Sequence, residues 1–220
     1  MMVNAQNPTI APYCKSGEVR LRVTARAADE ITAGAMCDEL VEAVKASEVG
    51  PYIYGIDCEN IETALVHALQ ERNLTIATAE SCTGGMLGER ITAIPGASAV
   101  YVGGLVTYTN EMKGSLLGVS SQTIAAHTEV SAEVAAEMAE GARRRLNTDI
   151  AIATTGYAGP GGGTETEPVG TVYVAIATRE GTAVLRLFYP NKSRAYVREA
   201  AASRAMLEAV KILILPPGAK

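Results

Sequence analysis

The sequence predicts an α/β protein: a three-layer α/β/α domain with a mixed sheet, preceded by a small N-terminal β-α-β unit. From residue 60 onward, amphipathic helical segments alternate with short apolar strands. Two late strands, at residues 169–178 and 183–189, flank the turn-forming pair Glu180-Gly181, which indicates antiparallel pairing. A chain of 220 residues is long enough for one ample domain with a small appendage.

The first 57 residues predict the small unit. Residues 18–26 (EVRLRVTAR) alternate apolar and polar side chains, as a half-buried strand does. Residues 29–47 carry apolar side chains at helical spacing, and residues 52–56 predict a second strand. Such a unit is too small to enclose a large core of its own.

Residues 58–220 predict the main domain. Its helices are expected at residues 60–72, with Asn60 as the N-cap, and at 83–93, 110–117, 131–146 and 193–215. Its strands are expected at residues 74–79, 99–109 and 149–155, together with the antiparallel pair. Helices interleaved with such strands predict a sheet that is covered on both faces.

Composition and charge narrow the classes of function. The net charge of −5 argues against a general nucleic-acid-binding surface, although a local basic pocket could receive an anionic small molecule. The first 12 residues lack a signal-peptide pattern and no apolar run is long enough to span a membrane, so we expect a cytoplasmic protein without membrane partners. Four scattered cysteines and two histidines predict reduced thiols and no metal site.

The first candidate site lies in residues 74–86 (LTIATAESCTGGM), where an apolar strand leads through a small polar turn into a helix. Ser81 on this corner would expose a nucleophilic hydroxyl. The backbone N–H groups of Thr83, Gly84 and Gly85, at the start of the helix, would lack intrahelical partners and could hold an oxyanion. The alternative is that Ser81 only caps the helix.

A second candidate is Lys113, in the segment YTNEMKG (108–114) where a strand passes into a short helix. A buried lysine with a lowered pKa can act as the base for a neighbouring serine. The alternative is a solvent-facing helix lysine. Neither His67, in an amphipathic helix, nor His127, in a polar loop, is well placed for that task. Tyr108 and Asn110 are close enough in sequence to orient Lys113 or a substrate.

The third candidate is a glycine-dense loop, TTGYAGPGGGT (154–164), at the end of a core strand. Its glycines let backbone N–H groups approach a phosphate or carboxylate closely. The alternative is flexibility alone. The loop is not a P-loop, because no Gly-Lys-Ser/Thr follows, and it lacks the helix of a dinucleotide fingerprint.

Four segments in order, AESCTGG (79–85), YTNEMKGSLLGV (108–119), TGYAGPGGGT (155–164) and EPVGTVYVA (167–175), closely resemble the C-terminal domain of the CinA competence/damage-inducible family. The resemblance covers about residues 60–215. It implies an α/β/α fold and nicotinamide mononucleotide (NMN) deamidase activity, which hydrolyses the nicotinamide carboxamide to the acid and releases ammonia. It also implies a catalytic Ser/Lys pair, which Ser81 and Lys113 match, and the reaction needs no metal or organic cofactor.

Residues 7–57 resemble the end of the family's N-terminal molybdopterin-binding-like domain, followed by its small KH-like linker. We expect the bulk of that N-terminal domain to be missing and do not carry over its nucleotide pyrophosphatase activity. Two positions depart from the family pattern. Tyr157 stands where the family usually has a small aliphatic residue and could stack on or crowd a substrate ring. Residues 191–194 (NKSR) replace a common Gly-Asp-Arg sequence and retain Arg194.

These observations lead to one hypothesis and two alternatives. Ser81 and Lys113 would hydrolyse NMN, with the glycine loop near the ribose-phosphate. The substrate-binding set would comprise Thr83, Gly84, Gly85, Tyr108, Asn110, Thr155, Gly156, Gly159, Gly161 and Arg194. The alternatives are a catalytically silent module that binds nucleotides or a protein partner, and a small amidase for another carboxamide. We expect a homodimer or higher homo-oligomer, because the strand at residues 18–26 cannot bury its apolar face within its own unit.

Overall fold

A computed structural model describes residues 7–15 and 18–214. The chain divides into two compact units, Met1–Asp57 and Cys58–Lys220. In the first unit, strand β1 (Thr9–Lys15) pairs antiparallel with strand β2 (Glu18–Thr24), and helix α1 (Glu30–Lys45) follows. The Asp29 carboxylate caps α1 by accepting a hydrogen bond from the Thr32 amide at 2.8 Å.

The small N-terminal unit is present, but its second strand is not the predicted one. Residues 52–56 form no strand, and a 3-10 helix occupies Gly50–Tyr52. Pro51 favours this turn because its ring presets φ for the first turn of a helix. Strand β1 was not predicted, because Pro12 lies in the middle of its sequence and proline within a sheet is confined to edge strands and bulges.

The second unit is built on a five-stranded mixed sheet. Its strands are β3 (Ile76–Glu80), β4 (Tyr101–Val106), β5 (Ile150–Gly156), β6 (Thr171–Ala177) and β7 (Thr182–Phe188). Their order in the sheet is β4-β3-β5-β6-β7. Strand β3 pairs parallel with both β4 and β5, whereas β6 runs antiparallel to β5 and to β7. The prediction of a mixed sheet is confirmed.

Helices cover both faces of this sheet. They are α2 (Ile61–Arg72), α3 (Met86–Thr92), α4 (Asn110–Leu117), α5 (Ser121–His127), α6 (Ala132–Arg145) and α7 (Arg194–Ile214). Helix α6 packs on the sheet and is contacted in turn by α4 and α5, while α7 packs on β5 and β6 together with α2 and α3. The prediction of a three-layer α/β/α architecture is therefore confirmed.

Two helices differ from their predicted form. Helix α3 begins at Met86 rather than at residue 83, because Gly84 and Gly85 have φ values of +61° and +96°, which do not continue a right-handed helix. Helix α5 was not predicted at all, and His127, assigned to a polar loop, is its last residue. Ser120 caps α5 by accepting hydrogen bonds from the amides two and three residues further on, those of Gln122 and Thr123.

Small side chains bring α6 close to the sheet. Ala77, Ala79 and Ala153 on the strands share one buried cluster with Ala135 and Ala139 of α6. A Cβ atom on Gly141 would lie 2.0 Å from the carbonyl oxygen of Leu117, so only glycine permits α6 to touch the end of α4 there. This close contact fixes α4, which carries Lys113.

Among the helices of the described part of the chain, none is both long enough and apolar enough to cross a membrane.

Candidate active site

The candidate site lies where three parallel strands end. Strand β3 ends at Glu80, and the next residue, Ser81, donates its N–H to the Thr154 carbonyl of β5 at 2.9 Å. On the other side, Thr107 donates its N–H to the Glu80 carbonyl at 2.8 Å. Ser81 thus lies between the ends of β4 and β5, at the carboxyl edge where α/β proteins place ligands. Its side chain is nearly buried, and its Oγ makes no hydrogen bond to a described residue.

The carboxylate of Glu80 caps the turn that follows Ser81. It accepts hydrogen bonds at 3.0 Å each from the N–H groups of Gly85, Leu87 and Gly88, and a shorter one, at 2.7 Å, from the Thr83 hydroxyl. Glu80 is 1% exposed, so these bonds take the place of its hydration. The Gly85 amide, predicted to be free for an oxyanion, is therefore already engaged. The sequence does carry a signal for this cap, because Glu80 is a charged residue at the end of a mostly apolar strand.

Arg198 of α7 orients the same turn. Its guanidinium donates to the carbonyl of Cys82 at 3.1 Å and to the carbonyl of Thr83 at 2.7 Å. In a trans peptide the C=O of one residue and the N–H of the next point in opposite directions. The amides of Thr83 and Gly84 therefore point away from the guanidinium, and neither donates to a described protein group. These two N–H groups are therefore available as donors to a ligand.

Sequence reasoning missed Arg198 although a signal was present. Arg194, which was predicted, lies four residues earlier in the same helix, and residues at that spacing share one helix face. Both guanidinium groups consequently reach the region where β3, β4 and β5 end.

Lys113 is buried on α4, with 1% of its surface exposed. The Thr109 hydroxyl caps the helix by accepting a hydrogen bond from the Met112 amide. This bond fixes the first turn of α4, and Lys113 follows directly after Met112. The Nζ of Lys113 donates to the backbone carbonyl of Glu129 at 3.2 Å. Burial lowers the pKa of Lys113, while the charge of Glu129 and the Cys82 side chain act in the opposite direction. This environment favours the neutral amine more than water does.

Cys82, the neighbour of Ser81, is buried. Desolvation by burial raises the pKa of Cys82 to about 12, although Lys113 and a hydrogen bond from Thr154 favour the thiolate. Lys113 Nζ and the Thr155 hydroxyl donate to the same carbonyl, that of Glu129, and Ser81 donates its N–H to the carbonyl of the adjacent Thr154. The amine therefore lies on the side of β5 next to the turn that carries Ser81. Ser81 Oγ and Lys113 Nζ are not hydrogen-bonded to each other in this structure.

Glu129 connects Lys113 with the end of β5. The carbonyl that accepts from Lys113 also accepts from the hydroxyl of Thr155 at 2.7 Å, and the Glu129 carboxylate accepts from the phenol of Tyr157 at 3.0 Å. The structure thus brings two sequence-predicted residues, Lys113 and Thr155, onto one acceptor. Glu129 itself was not predicted, and a lone glutamate between two helices carries no sequence signal for this role.

Three further predicted residues meet through one guanidinium. Arg194 donates to the phenol oxygen of Tyr108 at 2.9 Å and to the carbonyl of Gly159 at 2.8 Å. This pair of bonds ties the glycine loop to the segment that follows β4, and Arg194 and Tyr108 both remain exposed. Asn110, at the first position of α4, is exposed and makes no side-chain hydrogen bond within the described residues.

The glycines of the loop have different surroundings. Gly159 has a φ of +89°, and a Cβ atom there would lie 2.8 Å from a Val169 methyl group. A Cβ on Gly156 would lie 2.7 Å from the Thr171 carbonyl oxygen, so this residue permits close packing of β5 on β6. Gly161 faces open space. Gly156 and Gly159 thus lie in close-packed surroundings, and Gly161 lies in the open part of the loop.

Within residues 7–15 and 18–214, no group of three or more His, Cys, Asp or Glu side chains is arranged to hold a metal ion. Thr107, at the end of β4, is fully buried, and its hydroxyl has no hydrogen-bond partner among the described residues. A buried orphan hydroxyl is uncommon in folded proteins. Thr107 bonds through its N–H to Glu80, the residue before Ser81, and so belongs to the site. The sequence did not predict it.

Known proteins share this architecture. Residues 58–213 match the model of the CinA C-terminal domain, and residues 1–55 match that of the damage-inducible protein CinA KH domain. The crystal structure of a competence/damage-inducible protein of Agrobacterium tumefaciens is similar, with a TM-score of 0.68 and 37% identity, over 73% of this chain and 99% of that one.

Sequence relatives agree with the structural likeness. A Moorella thermoacetica protein that is named as competence-damage inducible is 48% identical over 185 residues, and the match covers 84% of this chain and 44% of that protein. A CinA-like protein of Synechococcus elongatus is 45% identical over 202 residues, covering 91% of this chain and 48% of its own length. The chain spans about half the length of the curated relatives it matches. With a CinA C-terminal domain over most of its length and a CinA KH domain before it, the chain belongs to the CinA family.

Proposed function

We propose that this protein is an amidohydrolase that converts NMN to nicotinate mononucleotide and ammonia through a covalent Ser81 intermediate. The observation that carries the proposal is the burial of Lys113 with its amine bonded to Glu129, at the strand end to which Ser81 is also bonded. Burial lowers the pKa of this lysine. A buried lysine is costly to a fold and is a common way to obtain a base near neutral pH. Resemblance to the CinA C-terminal domain supports NMN as the substrate.

In the first half-reaction, neutral Lys113 accepts the proton of the Ser81 hydroxyl as Oγ bonds to the carboxamide carbon. The N–H of Lys113 that donates to Glu129 leaves the nitrogen lone pair available for this proton. The oxyanion is stabilised by the free amides of Thr83 and Gly84. The C–N bond then breaks, and the departing nitrogen takes the proton from Lys113 and leaves as ammonia.

In the second half-reaction, water releases the acid. Lys113, neutral again, accepts a proton from water while the water oxygen bonds to the acyl carbon. The bond from that carbon to Ser81 Oγ breaks, and Oγ recovers a proton from Lys113. The sum is one amide and one water converted to one carboxylic acid and one ammonia, with no other reactant.

The exposed guanidinium of Arg194 provides the positive charge for the substrate phosphate. It joins Tyr108 to Gly159, so a phosphate bound there would be close to the amides of the glycine loop. Gly156, Gly161 and Asn110 complete the proposed binding surface. Thr155, predicted to bind substrate, is fully buried, and its hydroxyl donates to Glu129 instead. The remaining binding group is the turn at Thr83, Gly84 and Gly85, in which the Gly85 amide supports Glu80 rather than the substrate.

Incubation with NMN tests the proposal directly. We expect equal amounts of ammonia and nicotinate mononucleotide, and none of either from Ser81→Ala. Parallel incubations with other carboxamides test for a different amidase. Saturable NMN binding without ammonia release would instead identify a silent nucleotide-binding module and contradict the proposed reaction.

We propose in addition that residues 1–57 serve assembly in the cytoplasm rather than chemistry. In β2 the side chain of Val19 is 58% exposed, and in β1 that of Tyr13 is 53% exposed, so this ribbon has apolar surface to cover. Deletion of residues 1–57 should leave NMN kinetics within about threefold and lower the mass measured by sedimentation. A deletion variant that folds and assembles like the parent would contradict this role.

A further inference from the structure

Glu129 is held at two points by the end of β5. The Thr155 hydroxyl donates to its carbonyl and the Tyr157 phenol to its carboxylate, at 2.7 and 3.0 Å. Tyr157 continues the ladder beyond β5, because its N–H donates to the carbonyl of Thr171 at 2.9 Å. Side chains two residues apart on a strand face the same side. Thr155 and Tyr157 therefore both reach Glu129, one bonding its main-chain carbonyl and the other its carboxylate.

We propose that Glu129 and Tyr157 are positioning residues for Lys113: Tyr157 fixes the Glu129 carboxylate, and Glu129 holds the lysine amine toward the Ser81 turn. The inference rests on the proposed function of Ser81 and Lys113. A lysine side chain is a flexible four-carbon stem, and it can serve as a directed base only if its nitrogen is anchored. The bond from Nζ to the Glu129 carbonyl is the anchor that the structure shows.

The Tyr157 phenol supplies the donor that holds the Glu129 carboxylate in this arrangement. At its position the CinA resemblance leads us to expect a small aliphatic side chain, which could not donate to a carboxylate. The phenol is partly buried, and both burial and the neighbouring Glu129 raise the pKa of Tyr157, so it remains a donor at neutral pH. In this structure the phenol oxygen is engaged by Glu129.

The charge of Glu129 also acts on Lys113. From the turn after β3, the amine is faced by the Cys82 thiol, which stays protonated because its pKa is raised to about 12. On α4 itself the acidic residue is Glu111. The three acidic side chains of α6, which packs on α4, are engaged elsewhere: Glu133 lies against His127, Glu137 accepts from Ser120 and Thr123, and Glu140 accepts from Arg144 and Thr182. Glu129 is therefore the carboxylate that acts directly on the lysine.

The first experiment removes this charge with Glu129→Gln, which keeps the carbonyl and an acceptor for Tyr157. Loss of a negative charge disfavours the ammonium, so the pKa of Lys113 should fall by roughly half a unit or more. The titration is followed by 13C NMR of lysine labelled at Cε, using the resonance that is absent from Lys113→Arg. The rising limb of kcat/KM against pH should move the same way, with KM for NMN unchanged within about twofold. Glu133→Gln is the matched control and should shift neither.

The second experiment removes only the phenol oxygen with Tyr157→Phe. We expect kcat to fall by about three- to tenfold while KM stays within about twofold, because substrate contacts are kept. In a Glu129→Ala background the same change should have no further effect, since the bond is already lost. Tyr173→Phe is the control: it also removes a phenol–carboxylate bond, to Glu167, and should leave kcat within about twofold.

These measurements separate the inference from the reaction on which it rests. Absence of NMN hydrolysis by the parent protein would refute the proposed function, while the NMR titration would still show whether Glu129 acts on Lys113. An unchanged Lys113 titration in Glu129→Gln, or additive losses from Tyr157→Phe and Glu129→Ala, would overturn the positioning role. If Glu129→Gln does not fold, Glu129→Asp replaces it: the shorter side chain should lose the Tyr157 bond and lower kcat, and an unaffected kcat would count against the proposal.

Discussion

Arg198 and Thr83 are joined by a hydrogen bond of 2.7 Å from the guanidinium to the backbone carbonyl, although 115 positions separate them in the sequence. A second bond, to the Cys82 carbonyl, fixes the neighbouring peptide plane as well. The helix that closes the domain therefore determines which way the amides beside Ser81 point. This relationship leads to the first prediction.

Replacing Arg198 with alanine should lower kcat for NMN by about ten- to a hundredfold and change KM little. The reason is that the Thr83 and Gly84 amides would lose their fixed orientation toward the oxyanion, which exists only along the reaction path. Steady-state kinetics give the two constants, and millimolar guanidine should restore part of the turnover. Arg204→Ala, in the same helix, breaks only the pair with Glu208 and is the control. A loss confined to KM would show that Arg198 binds substrate instead.

Ser81→Ala should abolish NMN turnover by at least about a thousandfold, whereas Cys82→Ala should stay within a few-fold of the parent. The pKa of Cys82 is raised to about 12 by burial, so its thiolate is scarcely populated at neutral pH. The measurement is ammonia release, with trapping of the acyl-enzyme by mass spectrometry. An acyl group on Cys82, or loss of turnover only in its variant, would refute the serine mechanism.

The activity should rise with pH through the lowered pKa of Lys113, because only the neutral amine can take the Ser81 proton. Since burial lowers this pKa, the rise occurs below the pH at which an exposed lysine titrates. Lys113→Arg keeps the charge but cannot lose its proton, so kcat should fall by about a hundredfold or more. The pH profile of kcat/KM checks the first statement. Near-parent activity of Lys113→Arg would leave Lys113 only an electrostatic role.

Replacing Glu80 with alanine should destabilise the protein by roughly 2–4 kcal/mol, because the N–H groups of Gly85, Leu87 and Gly88 would be left without their acceptor. Urea unfolding followed by circular dichroism gives the free energy of unfolding. Glu89→Ala is the matched control, because Glu89 is exposed on α3, the helix that Glu80 caps, and should change stability by less than about 0.5 kcal/mol. Equal stabilities of the two variants would show that the turn is held by other contacts.

Local signals in the sequence determined several elements closely. Helix α2 follows Asn60, whose side chain accepts from the Thr63 amide at 2.8 Å. It ends at Arg72, and the C-cap residue Asn73 has a left-handed φ of 52°. Helix α4 spans the predicted residues 110–117. Such caps and apolar spacings act over a few residues, so they can be read from the chain directly. The alternation of these elements was enough for the α/β/α class.

Elements that depend on distant partners could not be predicted in the same way. Strand β1 exists because β2 pairs with it along its whole length, despite Pro12. The start of helix α3 is set by Gly84 and Gly85, with the Glu80 carboxylate capping the turn and Arg198 holding two of its carbonyls. No residue type by itself reports that a carboxylate or a guanidinium will fold back onto a particular peptide group.

The same distinction between local signals and distant contacts applies to the candidate site. Residue types, their order along the chain and the CinA resemblance identified Ser81 and Lys113 from the sequence by itself. Only the tertiary structure decided that Lys113 is buried on α4, that its nitrogen donates to Glu129, and that Tyr157 holds the Glu129 carboxylate. The physical reason is that the protonation and direction of a side chain depend on desolvation and on hydrogen-bond partners, and here those partners come from segments that meet only when the sheet and helices pack.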